Sequence, residues 1–390
     1  MTYALRIVQP SFASPLTDVV IELDHLLRLQ FVSDTPEAMF LQLKSIFHMM
    51  ESLGSARIEG NHTTLADYVE ARIDAGAAAA GDAPLQPDLL HPREPIHEIE
   101  NIERAMDYLD AAVITGTVLS HTLLRELHTL AVKGLTREGD RTPGAYRPGQ
   151  VSIGGASHVP PGPRDVQPLM DELLAFVNAD DAPKYDLLKV ALAHHRFAWV
   201  HPFGNGNGRV VRLFTYALLL KYGFNVGQGG RILNPTAVFC NDRERYYAML
   251  AAADNGSDAG LQAWALYVLA GVRDELVKVD RLARYATLKQ DILLPALAWS
   301  RSRGEIDGDA EKLLQMAVNK GVFKAADIDA VMPDWTTRQR TYQLNKLVQS
   351  RMVRPVQPGV RSYTLDFLNN ALMRGVMRML QERGYVPALG

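Results

Sequence analysis

Several things are scarce in this sequence, and each scarcity removes a class of protein. One cysteine, Cys240, stands in 390 residues. It excludes a disulfide within the chain and points to a reducing compartment. No apolar run approaches the ~20 residues that a membrane-spanning helix requires. Met1 to Ser14 lacks a basic stretch followed by an apolar one, so no signal peptide is expected. Neither sign of charge is in excess: 41 Lys+Arg against 44 Asp+Glu leave a formal net charge of −3. Such a balance gives the whole chain no electrostatic case for nucleic acid or a membrane. A soluble, cytoplasmic protein is expected. What the chain holds in quantity is apolar residues, 47% of the total, enough for one large core and a second small one.

The most informative stretch is His201-Pro202-Phe203-Gly204-Asn205-Gly206-Asn207-Gly208-Arg209-Val210-Val211-Arg212. Three glycines at alternate positions separate an apolar helical run ending in Phe197-Ala198-Trp199-Val200 from a second run, Leu213 to Tyr222. That order reads as helix, tight loop, helix. Alternate glycines let backbone N–H groups converge without Cβ clashes, and the helix that begins there adds its positive end. The result is an anion-binding nest suited to phosphate. His201, just ahead of it, is placed to take a proton from an attacking hydroxyl. Arg209 and Arg212, three apart, are expected to project from one side of the second helix toward the anion. A base, a nest and two guanidiniums describe phosphoryl or nucleotidyl transfer. The plainer reading, a glycine-rich turn with a capping histidine, would suffice for a lone Gly-x-Gly.

The stretch closely resembles the signature of the Fic (Fido) family, His-Pro-Phe-x-(Asp/Glu)-Gly-Asn-Gly-Arg-x-x-Arg. Asn205 departs from it, standing where the family usually carries an acidic residue. The resemblance spans roughly residues 15–300 and implies an all-α fold, a Fic helical core with a β-hairpin flap. The activity it implies is transfer of AMP from ATP to a Ser, Thr or Tyr hydroxyl of a protein, with pyrophosphate released; self-modification falls within that chemistry. His201 would be the base. Gly206, Asn207 and Gly208 would cradle the phosphates, and Arg209 and Arg212 would neutralise charge developing on them. Mg²⁺ would bridge the phosphates with Asn205 at the metal position, offering a neutral carbonyl oxygen in place of a carboxylate.

Upstream, Val20, Leu23, Leu27 and Phe31 form a helical stripe, and Thr35-Pro36 reads as an N-cap and first-turn proline for the next helix. Ser55-Ala56-Arg57-Ile58-Glu59-Gly60-Asn61 reads plainly as a helix end, with Gly60 its left-handed terminator. The family resemblance implies more: Ser55, Glu59 and Gly60 fit the inhibitory-helix pattern (Ser/Thr)-x-x-x-Glu-(Gly/Asn). Its glutamate would pair with Arg212 and occupy the space of a nucleotide γ-phosphate. Helices are expected at 64–76, 94–112, 120–133, 165–179 and 183–200, with a loop over 77–93. His194-His195 on the last of these is expected to pack rather than bind metal, because neighbours on a helix point about 100° apart.

Residues 140–163, rich in glycine and proline around Val151-Ser152-Ile153, are expected to form a β-hairpin. In Fic proteins a flap there pairs with the target's backbone, and Val151, Ser152, Ile153 and Gly154 would border the nucleotide. Asn241-Asp242-Arg243-Glu244 reads as a capping box opening on Asn241. The helix it opens carries Tyr246-Tyr247, which the resemblance sets against base and ribose; Asn255, with Asp254 beside it, falls near a further polar contact. A helical region over 258–300 closes the core, with Pro295 as a kink.

Three consecutive stretches are therefore expected: an N-terminal segment with the inhibitory helix (1–110), a Fic core (111–300) and a small domain (301–390). The last reads as three helices and two strands about Pro358-Gly359, similar to the winged helix-turn-helix appendage of bacterial Fic proteins. It holds 14 Lys+Arg against 9 Asp+Glu, net +5. With Arg338, Arg340 and Lys346 on its third helix, it suits DNA contact or assembly into a homodimer. Three other readings stay open: a hydrolase of AMP-modified proteins, with Glu59 positioning water; a catalytically weak regulator working through residues 301–390; and a kinase-type relative. The intact Gly206-Asn207-Gly208 speaks against the last.

Overall fold

The computed structural model describes residues 3–28, 33–79, 93–224 and 237–386. Helices form where apolar residues recur at helical spacing. In chain order they are α1 (Pro15–Arg28), α2 (Glu37–Ile58), α3 (Leu65–Ala79), α4 (Arg93–Ala112), α5 (His121–Val132) and α6 (Pro163–Asn178). Then come α7 (Asp186–Val200), α8 (Asn207–Lys221), α9 (Ala237–Cys240), α10 (Arg243–Ala253), α11 (Asp258–Leu282), α12 (Tyr285–Thr287) and α13 (Leu294–Ser302). The last are α14 (Gly308–Lys320), α15 (Ile328–Val331), α16 (Thr337–Gln349) and α17 (Leu372–Glu382), interleaved with β1 (Val322–Lys324), β2 (Val353–Pro355) and β3 (Ser362–Leu365). None of the described helices is long and apolar enough to cross a membrane. Of the loop expected over 77–93, residues 80–92 lie outside the described residues.

By contacts the chain divides into two units: residues 1–31, 48–62 and 92–277 form one, and residues 32–47, 63–91 and 278–390 the other. The division is interleaved along the sequence, where three consecutive stretches were expected. In the first unit α7 and α8 are the central helices. Every residue of α7 from Leu187 to Phe197 is buried, as is every residue of α8 from Arg209 to Leu220. These are helices buried on all sides, their polar residues (Lys189, His194, His195, Arg196, Arg209, Arg212) included, so the loop at 201–206 hangs between the two best-buried helices of the unit. The second unit carries the sheet, in order β1-β3-β2 and antiparallel throughout, with Val322 opposite Thr364 and Val353 opposite Leu365.

Several expectations need correction. Residues 151–160 form no strand: Ala156 N–H closes a turn on Ile153 O at 3.2 Å, and the arms meet through Gln150 Nε2 on Pro160 O at 2.9 Å. Pro160 and Pro161 have no N–H to donate, so a ladder cannot continue on that arm. Asp242, not Asn241, caps α10, accepting Arg245 N–H at 2.9 Å. Thr35 Oγ1 donates to Ala283 O at 3.0 Å instead of capping α2. The helical region expected over 258–300 is present as α11, α12 and α13 with a π-helical turn at Leu288–Leu293, but Pro295 opens α13 instead of kinking a continuous helix. Strand β1 was not foreseen, because three residues are too few to show a period of two.

Candidate active site

His201 is the residue that ends α7. Its backbone is left-handed, φ 53° and ψ 61°, and its N–H still bonds Phe197 O at 3.0 Å. A non-glycine residue in that region is strained and must be held by its surroundings. Arg147 holds it: Nε donates to His201 O at 2.7 Å, and Arg147 N–H donates to Pro202 O at 2.9 Å. The imidazole Nδ1 lies 3.3 Å from Ala198 O. A carbonyl only accepts, so Nδ1 carries the proton and Nε2 keeps its lone pair. Burial pushes the ring's pKa down to about 4, and at neutral pH it is an uncharged base.

The loop then turns on Gly206 in the left-handed region, φ 74°. Asn207 clamps it, Oδ1 receiving Phe203 N–H and Nδ2 donating to Phe203 O, both at 2.9 Å. The first intrahelical bond of α8 is Val210 N–H to Gly206 O. The N–H groups of Asn207, Gly208 and Arg209 precede it, and a helix start of this kind attracts anions. The protein places its own carboxylate there. Glu59 Oε1 accepts from Arg212 Nη2 at 2.7 Å, and a Cβ on Gly208 would collide with that same oxygen. Arg212 also donates from Nε to Ser55 Oγ at 2.8 Å and from Nη2 to Ser55 O at 3.0 Å. Gly60 follows with φ 96° and ends the helical path. Burial works to raise the Glu59 pKa, but Arg212, then Arg209 and His201, outweigh it and leave the carboxyl below its ordinary range.

These groups line a cavity of about 610 Å³, within the range of small-molecule and cofactor sites. Of the residues singled out from sequence, Glu59, Ile153, Gly154, His201, Asn207, Gly208, Arg212, Tyr246 and Tyr247 face it. Val151, Ser152, Ser55, Gly60, Asn205, Gly206, Arg209 and Asn255 are not in its wall. Asn255 Oδ1 instead receives Ser257 N–H at 2.9 Å. Asp254, expected near a polar contact beside Asn255, and His195, expected to pack, also line it, as do Trp199, His158 and Leu250, to which no role was given from sequence. For α10 there was a signal, since 247, 250, 251 and 254 form one helical stripe with Tyr247. His194, by contrast, is wholly buried between Thr215 Oγ1 at 2.7 Å and Tyr246 OH at 2.9 Å, a packing role.

Two expected site residues point elsewhere. Arg209 is fully buried, donating to Glu138 O at 2.7 Å and pairing with Glu98 Oε1 at 3.1 Å. Asn205 Oδ1 receives Gly206 N–H at 2.7 Å, and its Nδ2 donates to Gly139 O at 3.1 Å. Its backbone N–H meets Asp140 Oδ2 at 2.8 Å. An amide oxygen so engaged does not fit a magnesium ligand, and among the described residues no group of three or more His, Cys, Asp or Glu is arranged to hold a metal.

Residues 118–219 match the Fic/DOC family. The chain is 29% identical over 234 residues to "Protein adenylyltransferase Fic" of Aedes aegypti, covering 58% of this chain and 41% of that protein. It is 29% identical over 214 residues to the protein of the same name from Drosophila virilis, covering 54% and 38%. It thus spans about two fifths of the length of these relatives. Among solved structures, a Fic family protein from Desulfovibrio desulfuricans shares the fold, with TM-score 0.55 and 21% identity over 94% of this chain and 98% of that one. A Fic domain containing signaling protein from Bacteroides thetaiotaomicron has TM-score 0.52 and 17% identity, covering 69% and 97%.

Proposed function

The chain carries a Fic/DOC-family domain over residues 118–219, and on that premise we propose that it transfers AMP from ATP to a Ser, Thr or Tyr hydroxyl of a protein, itself included. The hydroxyl oxygen bonds the α-phosphorus and its proton passes to His201 Nε2. The bond from that phosphorus to the bridging oxygen breaks, and pyrophosphate leaves with the electron pair. One observation carries the reading. A carboxylate of the chain lies on Gly208 and Arg212, in a cavity that also holds His201. That is where a nucleotide's phosphates would bind, so Glu59 both marks the anion site and blocks it. Glu59 is in this reading an inhibitor that competes for Arg212, with Ser55 keeping the guanidinium aimed while Glu59 leaves.

The test is incorporation of labelled AMP by the full chain. Glu59→Gly should raise it by about 10–100-fold, and His201→Ala in that background should remove about three orders of magnitude or more. An unchanged rate in the Glu59 variant refutes the inhibitory role. Transfer that survives His201→Ala refutes the base.

For residues 301–390 we propose a winged helix-turn-helix. The order helix, strand, helix, helix, strand, strand supports it, as does the exposure of Arg338 and of Tyr342 (66% exposed) on α16. Two of the three basic residues expected to serve DNA are instead paired, Arg340 with Asp329 at 2.9 Å and Lys346 with Asp307 at 3.0 Å. Polarisation with mixed duplex DNA at low salt, using the full chain, should show salt-sensitive binding that Arg338→Ala weakens. No binding at low salt, with dimers in solution, assigns the domain to assembly.

A further inference from the structure

Arg147 is buried (3% exposed), and among the described residues no carboxylate pairs with it. A buried cation is ordinarily matched by an anion. This guanidinium instead gives its bonds to main-chain carbonyls from three places in the chain. Nη1 donates to Gly149 O at 2.9 Å, where the flap's outgoing arm begins, and Nη2 to Pro161 O at 2.6 Å, where the other arm returns. Nε donates to His201 O at 2.7 Å, and Nη2 also to Val200 O at 3.3 Å.

The last carbonyls of α7 lack partners within the helix, and a cation is favoured at that end by the helix dipole. His158, on the flap, takes a third of them: its Nε2 lies 2.8 Å from Trp199 O. A carbonyl only accepts, so that nitrogen carries the ring proton. The carbonyls of 199, 200 and 201 are thus all received by side chains of the flap and its stem. The two arms cannot pair as strands, since Pro160 and Pro161 have no N–H. What a ladder would do falls largely to one forked side chain, and the strained His201 shares that fork.

We propose that Arg147 is a positioning residue that locks the flap to the base, so that the seating of the flap and the aim of His201 Nε2 are one event. The inference rests on the AMP-transfer reading above and adds to it the residue that registers one cavity wall against another. Flap residues Ile153 to His158 line the cavity together with His201. A hydroxyl resting against that wall is therefore carried to a fixed place relative to Nε2. Phosphates go to Gly208 and Arg212 on α8, to which Arg147 makes no bond among the described residues. Its effect falls on transfer and not on nucleotide binding. Lysine would keep the charge but has a single nitrogen, too few to span both arms and the end of α7.

The test uses the full chain carrying Glu59→Gly, with labelled ATP varied, and adds Arg147→Lys or Arg147→Gln. Each should lower kcat for AMP incorporation by about 10–100-fold and leave the KM for ATP within about twofold. The second readout, titration of His201 followed by NMR, needs no transfer. Burial takes the ring's pKa down to about 4; Arg147 and His158 act in the same direction, and the bond to Ala198 O and the charge of Glu59 act against it. Released from the fork, the ring gains water and should titrate nearer the ordinary 6.5. A fall in kcat matched by the rise in KM, with the His201 titration unmoved, is what a merely structural residue gives and overturns the inference. Parent-like kcat in the lysine variant overturns it as well. No transfer by the Glu59→Gly parent refutes the transfer reading, and the His201 titration alone then decides the positioning role. Where the Arg147 variants do not fold, His158→Ala cuts the neighbouring tie. It should lower kcat by about 3–10-fold, and His158→Gln, which keeps a donor at similar reach, should restore it. Unchanged kcat in His158→Ala overturns the coupling.

Discussion

Arg212 and Arg209 start one turn apart on α8 and finish in opposite kinds of surroundings. Arg212 reaches the cavity, where Ser55 and Glu59 receive its N–H groups. Arg209 reaches into the packing near α4 and α5, where Glu98 pairs with it in charge and Glu138 O and Ala131 O receive its N–H groups. A spacing of three sets the two Cα–Cβ directions about 60° apart. Beyond that, a side chain as long as arginine goes where acceptors lie, and on the two sides of α8 these belong to different segments. On the proposed reading, Arg212 serves the chemistry and Arg209 the fold.

The largest expected effects test that division directly. In the Glu59→Gly background, Arg212→Gln should lower AMP transfer by about 10²-fold while shifting the urea midpoint little. Arg209→Gln should instead cost about 3 kcal/mol of stability, because it leaves Glu98 buried with its partner gone. Urea unfolding and transfer rates measured on both variants decide it. If the Arg209 variant unfolds like the parent yet loses transfer equally, both arginines serve the cavity.

Next in size is a test of where Glu59 sits. Gly208→Ala should cost about 1–3 kcal/mol in the parent, since the new methyl meets Glu59 Oε1. In the Glu59→Gly background the cost should fall well below that. Equal costs in a double-mutant cycle would place Glu59 away from the nest.

A smaller effect is expected at Asn205. Asn205→Asp gives up the bond to Gly139 O and sets a second carboxylate near Asp140. About 1 kcal/mol of stability should be lost, with no gain in Mg²⁺ binding by calorimetry. Tighter Mg²⁺ binding with faster transfer would instead make Asn205 the metal position, turned inward in this structure.

The smallest effects concern two histidines on either side of the loop. Burial takes both His201 and His128 from the ordinary 6.5 to about 4. For His201 the readout is rate: kcat/KM should stay within about twofold between pH 7 and 5.5 and fall only on approaching pH 4. For His128, behind the loop with Nε2 on Asn205 O and Nδ1 receiving Gly144 N–H, the readout is stability. Its unfolded form takes a proton near 6.5 and its folded form only near 4. Stability should therefore fall as pH drops through that window. A rate that halves near pH 6.5 would show that His201 is not buried in the working enzyme.

Much of this was legible along the chain because it is local. Apolar spacing marked α4, α5 and α6 within two residues, Ser120 caps α5 by accepting Leu123 N–H as its type predicts, and the order histidine, glycines, helix announces a nest by itself. Where prediction failed, a partner from elsewhere competed. Thr35 is a good cap by type but bonds Ala283 O. The flap's two arms have β-favouring residues, yet proline on one arm removes the donors that pairing needs.

What the sequence alone determined is the chemistry on offer: a candidate base, orphan N–H groups at a helix start and a guanidinium, each following from residue type and position within one turn or loop, while the carboxylate of Glu59, 153 residues from Arg212, was expected there only from the family resemblance. Which of these share a cavity was decided by tertiary structure. Asn205 turns to Gly206 and Gly139, Arg209 to Glu98, and Tyr3, His195 and Asp254 converge from segments far apart in sequence. Periodicity gives the angle at which a side chain leaves its helix. Its end point is set by the acceptors, donors and volume that distant segments bring, and those exist only once the chain has packed.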